Sequence, residues 1–161
     1  MSLRLAEDRK RFTFYEMPAR KRQQILSEIR ELLADRPEIK LALAYGGFTK
    51  RPVFRDIDVA VYTEFRIPYT KSLEYEEELS KTLEKQVGIP VDIKLLDYMP
   101  TWLKLKALNG TLLLEREFML RARLKFKARQ ELQDINTKLT RLKAAKHIQQ
   151  AIEADKHPSR E

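Results

Sequence analysis

The chain has no cysteine, which excludes disulfides, thiolate catalysis and cysteine-ligated zinc. No apolar run approaches the roughly 18 residues that a membrane-spanning helix needs. The opening segment, MSLRLAEDRKRF, carries too many charges for a secretory leader, so the expected location is the cytoplasm. Glycine is scarce, four in 161 residues, and two of the four are adjacent, Gly46 and Gly47. The two histidines, His147 and His157, stand far along the chain from the acidic motif described below and are read as incidental.

What the chain has in quantity is charge. Lys and Arg number 32 against 24 Asp and Glu, for a net +8, and the excess is unevenly spread. Residues 1–22 hold seven basic groups against three acidic ones, and residues 116–161 hold twelve against six. The middle of the chain is slightly acidic. Such ends would attract nucleic acid or an acidic protein; a solvated helical surface explains them equally well. With 43% hydrophobic residues the length suffices for one domain with a proper core, plus an appendage.

The most informative stretch is residues 41–63, LALAYGGFTKRPVFRDIDVAVYT. Ile39, Leu41 and Leu43 alternate and end in Tyr45-Gly46-Gly47, which predicts a strand over about 38–45 and then a tight turn. Ile57, Val59 and Val61 alternate in a second strand, about 56–63, so Asp56, Asp58 and Ala60 share its opposite face. Side chains two apart on a strand stand roughly 6.5–7 Å apart at the backbone and point the same way. Two carboxylates held like this repel each other, and burying the pair calls for a cation. All-oxygen ligation suits Mg²⁺ or Mn²⁺ rather than zinc.

The rest of the chain frames that pair. From Pro18 a helical pattern sets Ile25, Ile29, Leu32 and Leu33 on one face until Arg36-Pro37 stops it. Thr70 or Ser72 caps a second helix, with Leu73, Leu79, Leu83 and Val87 inward and Gly88 as its stop. Its run Glu74, Glu76, Glu77, Glu78 reads as a mostly solvated outer face. A third strand, 91–96, turns Val91, Ile93 and Leu95 one way, and Asp92 with Lys94 the other. If it neighbours the second strand at about 4.8 Å, Asp92 completes a three-carboxylate cluster with Asp56 and Asp58. The alternative makes Asp92 a salt-bridge partner on an exposed sheet face.

Residues 99–108 form a short helix with Trp102 as a core or interface filler. Asn109-Gly110 ends it, and 112–114 make a short fourth strand. From Arg116 one long helix is predicted, with no Gly or Pro before Pro158. Phe118, Ala122 and Phe126 share a face; Leu132, Ile135, Leu139, Leu142, Ala145, Ile148 and Ile152 follow at spacings of three and four. Roughly 35 helical residues would be about 50 Å long, more than a small domain can cover. The expectation is a break that makes a hairpin, or packing on another chain, a second copy included. The expected divisions are an arm at 1–17, a domain at 18–115, a helix or helical hairpin at 116–155 and a frayed tail at 156–161.

Taken in order, Tyr45-Gly46-Gly47, eight residues, Asp56-Ile57-Asp58-Val59, the strand carrying Asp92 and the closing Asn109-Gly110-Thr111-Leu112-Leu113 bring a family into view. Over about residues 20–117 the chain resembles the DNA polymerase beta-like nucleotidyltransferase superfamily. Within it, the likeness is to the minimal nucleotidyltransferase (MNT) branch, whose small members pair with HEPN-domain proteins in prokaryotes. The resemblance implies an α+β fold, a small mixed sheet with helices packed on one face and the active site on the open face. In that reading Asp56 and Asp58 hold Mg²⁺ or Mn²⁺, and Asp92 completes one site and helps to activate the attacking hydroxyl. Gly46 and Gly47 let the backbone approach the triphosphate of ATP or another NTP. Lys50, Arg51 and Arg55 stand where cations would meet phosphates, with solvated loop charges as the alternative. Two departures stand out: Gly47 occupies a position where Ser is commoner, and Arg55 one where a small polar residue often precedes the first Asp.

The function so implied is transfer of NMP, AMP from ATP, to a hydroxyl of a partner protein, as the antitoxin of a HEPN/MNT toxin–antitoxin pair. Two readings compete with it. One is a binding module that neutralises its partner by contact alone. The other is a nucleotidyltransferase acting on RNA or a small molecule; no separate RNA-binding module is visible, so nucleic acid is not the favoured partner.

Overall fold

A computed structural model of the protein describes residues 13–156; most of the expected arm, and His157 with the rest of the tail, lie outside them. A four-stranded mixed sheet organises the described chain, in the order β5-β4-β2-β6. The strands are β2 (Leu41–Tyr45), β4 (Ile57–Tyr62), β5 (Val91–Leu95) and β6 (Thr111–Glu115). β4 lies antiparallel to β2 and parallel to β5, and β6 lies antiparallel to β2. The parallel pair needs a crossover, which α3 (Ser72–Val87) supplies. A separate two-stranded ribbon pairs β1 (Tyr15–Glu16) with β3 (Val53–Phe54), so the part of the arm that is described packs beside the glycine turn.

One face of the sheet is covered by α1 (Ala19–Ala34) and α3. Ile25, Ile29 and Leu33, at the four-residue spacing seen in the sequence, join Ala42, Ala44, Ile57, Val59, Val61, Ile93, Leu79 and Leu83 in one core. Each such aliphatic side chain, fully buried, contributes about 1.5–3 kcal/mol. Leu73, expected inward, is exposed; it sits in the first turn of α3, directly after a 3-10 turn (Tyr69–Lys71). Gly88 ends α3 at φ 74°, the left-handed stop expected of it.

The other face carries a second, smaller helical layer that the sequence did not foretell. α4 (Thr101–Leu108) and the first turns of α5 (Leu120–Lys156) bury Ala107, Leu108, Leu120 and Ala128 against Leu41, Leu43, Tyr45 and Ala60. Every residue of β2 is therefore buried. Trp102 does not fill the core: it is 63% exposed, with Leu103, Leu105 and Leu108 packed against the sheet instead. α5 is unbroken over 37 residues, about 55 Å at 1.5 Å per residue. Ala128 is its last buried residue, and Ile135, Leu139, Leu142, Ile148 and Ile152 stand in solvent. Phe118 and Phe126, which the sequence places on one face, are exposed as well.

Two local devices hold the sheet's margins. The N–H groups of Ile93 and Leu95 on edge strand β5 donate outward to Ser80 Oγ (3.1 Å) and Glu76 Oε1 (2.8 Å) of α3. Glu76 is thus turned inward, unlike the outer-face reading of its acidic run. Beyond β4, Glu64 and Phe65 both adopt positive φ (56° and 59°), a conformation costing about 1–2 kcal/mol per non-glycine residue. The buried Asp97 carboxylate fixes that turn, accepting from the Thr63 N–H (3.1 Å), the Thr63 hydroxyl (3.2 Å) and the Phe65 N–H (2.6 Å).

Candidate active site

The register of the central strands sets the site. Tyr45 of β2 lies opposite Asp58 of β4, and Asp58 lies opposite Asp92 of β5. Three polar side chains therefore stand abreast on one face, on strands about 4.8 Å apart. Asp56, two residues before Asp58, comes immediately ahead of β4. The chain reaches this corner through Gly46, at φ 78°, whose Cα lies against Asp58: a Cβ there would overlap Asp58 Oδ2. Only glycine permits both the turn and the approach. After it, α2 (Gly47–Lys50) closes with the Thr49 hydroxyl donating to the Gly46 carbonyl at 2.9 Å.

The carboxylates are poorly compensated. Burial raises the Asp58 pKa to about 6, reinforced by the charges of Asp56 and Asp92 and opposed by Lys106 and Arg55. Burial and the same carboxylates push the Tyr45 phenol up as well, so it stays protonated. Among the described residues, neither Asp56 nor Asp58 has an ion-pair partner within 4 Å. Asp92 differs: its Oδ1 lies 3.7 Å from Lys94 Nζ, which also lies 3.6 Å from Glu76. That is the salt-bridge alternative, present alongside the adjacency. Among the described residues no three acidic or histidine side chains are gathered closely enough to enclose a metal ion. The donor set still fits a hard divalent cation: two adjacent carboxylates, only partly compensated by Lys106 and Arg55, with no thiol in the chain and no histidine gathered with them among the described residues.

Asp56 and Asp58 open onto a cavity of about 470 Å³ whose walls include Gly46, Gly47, Lys50, Arg51, Arg55 and Lys106. All five residues expected to meet a nucleotide thus border the same space as two of the three carboxylates, and Asp92 lies beside that space rather than in its wall. Lys106 was missed by the sequence reading. It sits on α4, about fifty residues after the acidic pair, and only the folding of α4 across β2 brings its charge to Asp58. A shallow groove of similar size along α5, lined by residues such as Arg129, Leu132, Asn136 and Arg141, gathers no acidic group.

Paired carboxylates at the start of a strand, beside a glycine bend and facing a cationic cavity on a small mixed sheet, form an arrangement suited to nucleotidyl transfer. The chain belongs to the polymerase beta nucleotidyltransferase family, whose sequence model matches residues 27–119. Among solved structures, a chain of the toxin–antitoxin complex MntA–HepT is similar at TM-score 0.60 and 19% identity, over 76% of this chain and 97% of its own length. A chain of the complex of a tri-AMPylated Shewanella oneidensis HEPN toxin with its MNT antitoxin is similar at 0.60 and 19%, over 77% and 97%. A third, from a toxin–antitoxin structure with AMP-PNP, is similar at 0.62 and 19%, over 74% and 96%. At these identities the likeness is one of fold. No protein of curated function matches the chain.

Proposed function

We propose that the protein is a metal-dependent nucleotidyltransferase that moves AMP from ATP to a hydroxyl of a partner protein, as the antitoxin of a HEPN/MNT pair in the cytoplasm. The observation that carries this reading is the poorly compensated Asp56–Asp58 pair at the mouth of a cationic cavity of nucleotide size. Asp56 and Asp58 would hold Mg²⁺ or Mn²⁺, and Asp92 would join them once released from Lys94. Bound there, the cations supply Lewis-acid stabilisation of the charge on the attacking and leaving oxygens.

The chain's own groups do the rest. Gly46 and Gly47 present backbone without side chains to the triphosphate, while Lys50, Arg51 and Arg55 meet its oxygens from one wall and Lys106 from α4. The acceptor hydroxyl oxygen forms a bond to the α-phosphorus as the bond to pyrophosphate breaks, and Asp92 is the group that takes up the hydroxyl proton. The AMP-bearing HEPN toxin and the AMP-PNP structure among the similar folds support both the nucleotide and the acceptor class.

Titration calorimetry with ATP and Mg²⁺, followed by intact-mass analysis of the HEPN partner after incubation, tests the proposal. Saturable binding and an added AMP mass are expected; neither binding nor mass addition would overturn it. The exposed apolar stripe of α5 favours a second reading, neutralisation by contact alone. The Asp56→Asn, Asp58→Asn double variant separates the two, because under the second reading it still neutralises the partner.

A further inference from the structure

We infer that Arg22 is a positioning residue for the cavity wall formed by residues 47–55. Its guanidinium, reaching out from the first turn of α1, donates to the carbonyls of Phe48 (2.6 Å), Arg51 (2.7 Å), Pro52 (2.5 Å) and Met17 (3.1 Å). It also stands over the rings of Phe54 and Phe48, 4.9 and 5.5 Å from their centroids. An arginine near a nucleotide cavity invites the idea of a phosphate ligand, but here four N–H bonds point into the protein's own backbone. Arg22 is not part of the cavity wall.

The segment it grips cannot hold itself. α2 is a single turn, far below the length at which a helix is stable alone, and its last carbonyls have no partner within the helix. Arg22 takes the Phe48 and Arg51 carbonyls together with that of Pro52, and so ties the end of α2 to the start of β3. The residues so fixed, Gly47, Lys50, Arg51, Phe54 and Arg55, border the cavity with Asp56 and Asp58. Phe54 stacks on Tyr15 of β1 at 5.8 Å and meets Phe48 edge-on at 4.8 Å, so Arg22 also joins the two-stranded ribbon to α1. Lysine cannot substitute: an ammonium is a point charge without the planar fork that reaches several carbonyls at once. Arg22 lies ahead of the residues that the family model matches, 27–119.

The nucleotide part of this inference rests on the proposed function; the positioning part does not. The test is amide hydrogen exchange over residues 47–55 in the ligand-free protein, for wild type, Arg22→Lys and Arg22→Met. Losing the planar guanidinium fork is expected to speed exchange there about 10- to 100-fold in both variants, with β4 and α3 unchanged. ATP affinity is expected to weaken about 10-fold or more in both, with turnover at saturating ATP falling less. Phe54→Leu, which keeps the hydrogen bonds and removes one ring, is expected to give a smaller effect at the same residues. Unchanged exchange at 47–55, full rescue by lysine, or equal acceleration across the whole domain would each overturn the assignment. A wild type that binds no ATP would sink the proposed function and leave the exchange result to decide on Arg22.

Discussion

Replacing Asp58 by Asn removes the charge whose burial is least compensated, so the ligand-free protein should become more stable while nucleotide transfer is lost. The folded pKa of about 6 lies above the ordinary 3.8, so the buried charge costs stability wherever Asp58 is ionised. The cost fades as pH falls through about 4, where the unfolded group takes up its proton too, grows through the interval up to 6 and is complete above it. At 1.36 kcal/mol per unit the shift corresponds to about 3 kcal/mol. The side chain keeps contact with water, and screening reduces this to about 1 kcal/mol. For a chain of this size that is a rise of about 2–4 °C in melting temperature at pH 7.5. Thermal melts of both proteins at pH 7.5 and pH 4, with and without Mg²⁺, make the measurement. The advantage of the variant should shrink to a small fraction at pH 4, and the proposed cation site predicts that it narrows in Mg²⁺. A variant less stable than wild type at pH 7.5, or a difference independent of pH, would refute the electrostatic reasoning.

Gly46→Ala should destabilise by more than about 1 kcal/mol and abolish ATP binding, because the methyl group meets Asp58 Oδ2 at a positive φ; calorimetry and a melt read both. Asp97→Ala should cost about 2–4 kcal/mol in a urea titration, since it orphans the N–H groups of Thr63 and Phe65 in a turn that is strained already. A loss under half a kcal/mol would contradict the role given to Asp97. Ending the chain after Asp134 should move the melting temperature by less than about 2–4 °C, because the last buried residue of α5 is Ala128.

The parts of the fold that could be read in the sequence were those written as local period. The alternations through Ile57, Val59, Val61 and through Val91, Ile93, Leu95 located β4 and β5 to within a residue or two, and Gly88 marked the end of α3. The pairing of Asp58 with Asp92 was legible only conditionally, as it depends on β5 lying next to β4. A helix between two strands makes that adjacency the ordinary outcome. What stayed hidden depends on contacts between distant segments. Arg22 looked like one more charge in a basic stretch, and three of its four carbonyl partners lie 26 to 30 residues away along the chain. Lys106 and Asp97 act across the sheet in the same way. β1 has two residues, too few for any period to register. Trp102 does not serve the core because Leu103, Leu105, Ala107 and Leu108 occupy the inner side of α4.

The side chains of Ser80 and Glu76 give the rim of β5 a further meaning. An incoming extended segment finds the main-chain hydrogens of Ile93 and Leu95 already taken and α3 standing in its path. Along that border the sheet cannot grow by borrowing a strand from a neighbour, so any companion molecule meeting the protein there has to be recognised through side-chain chemistry.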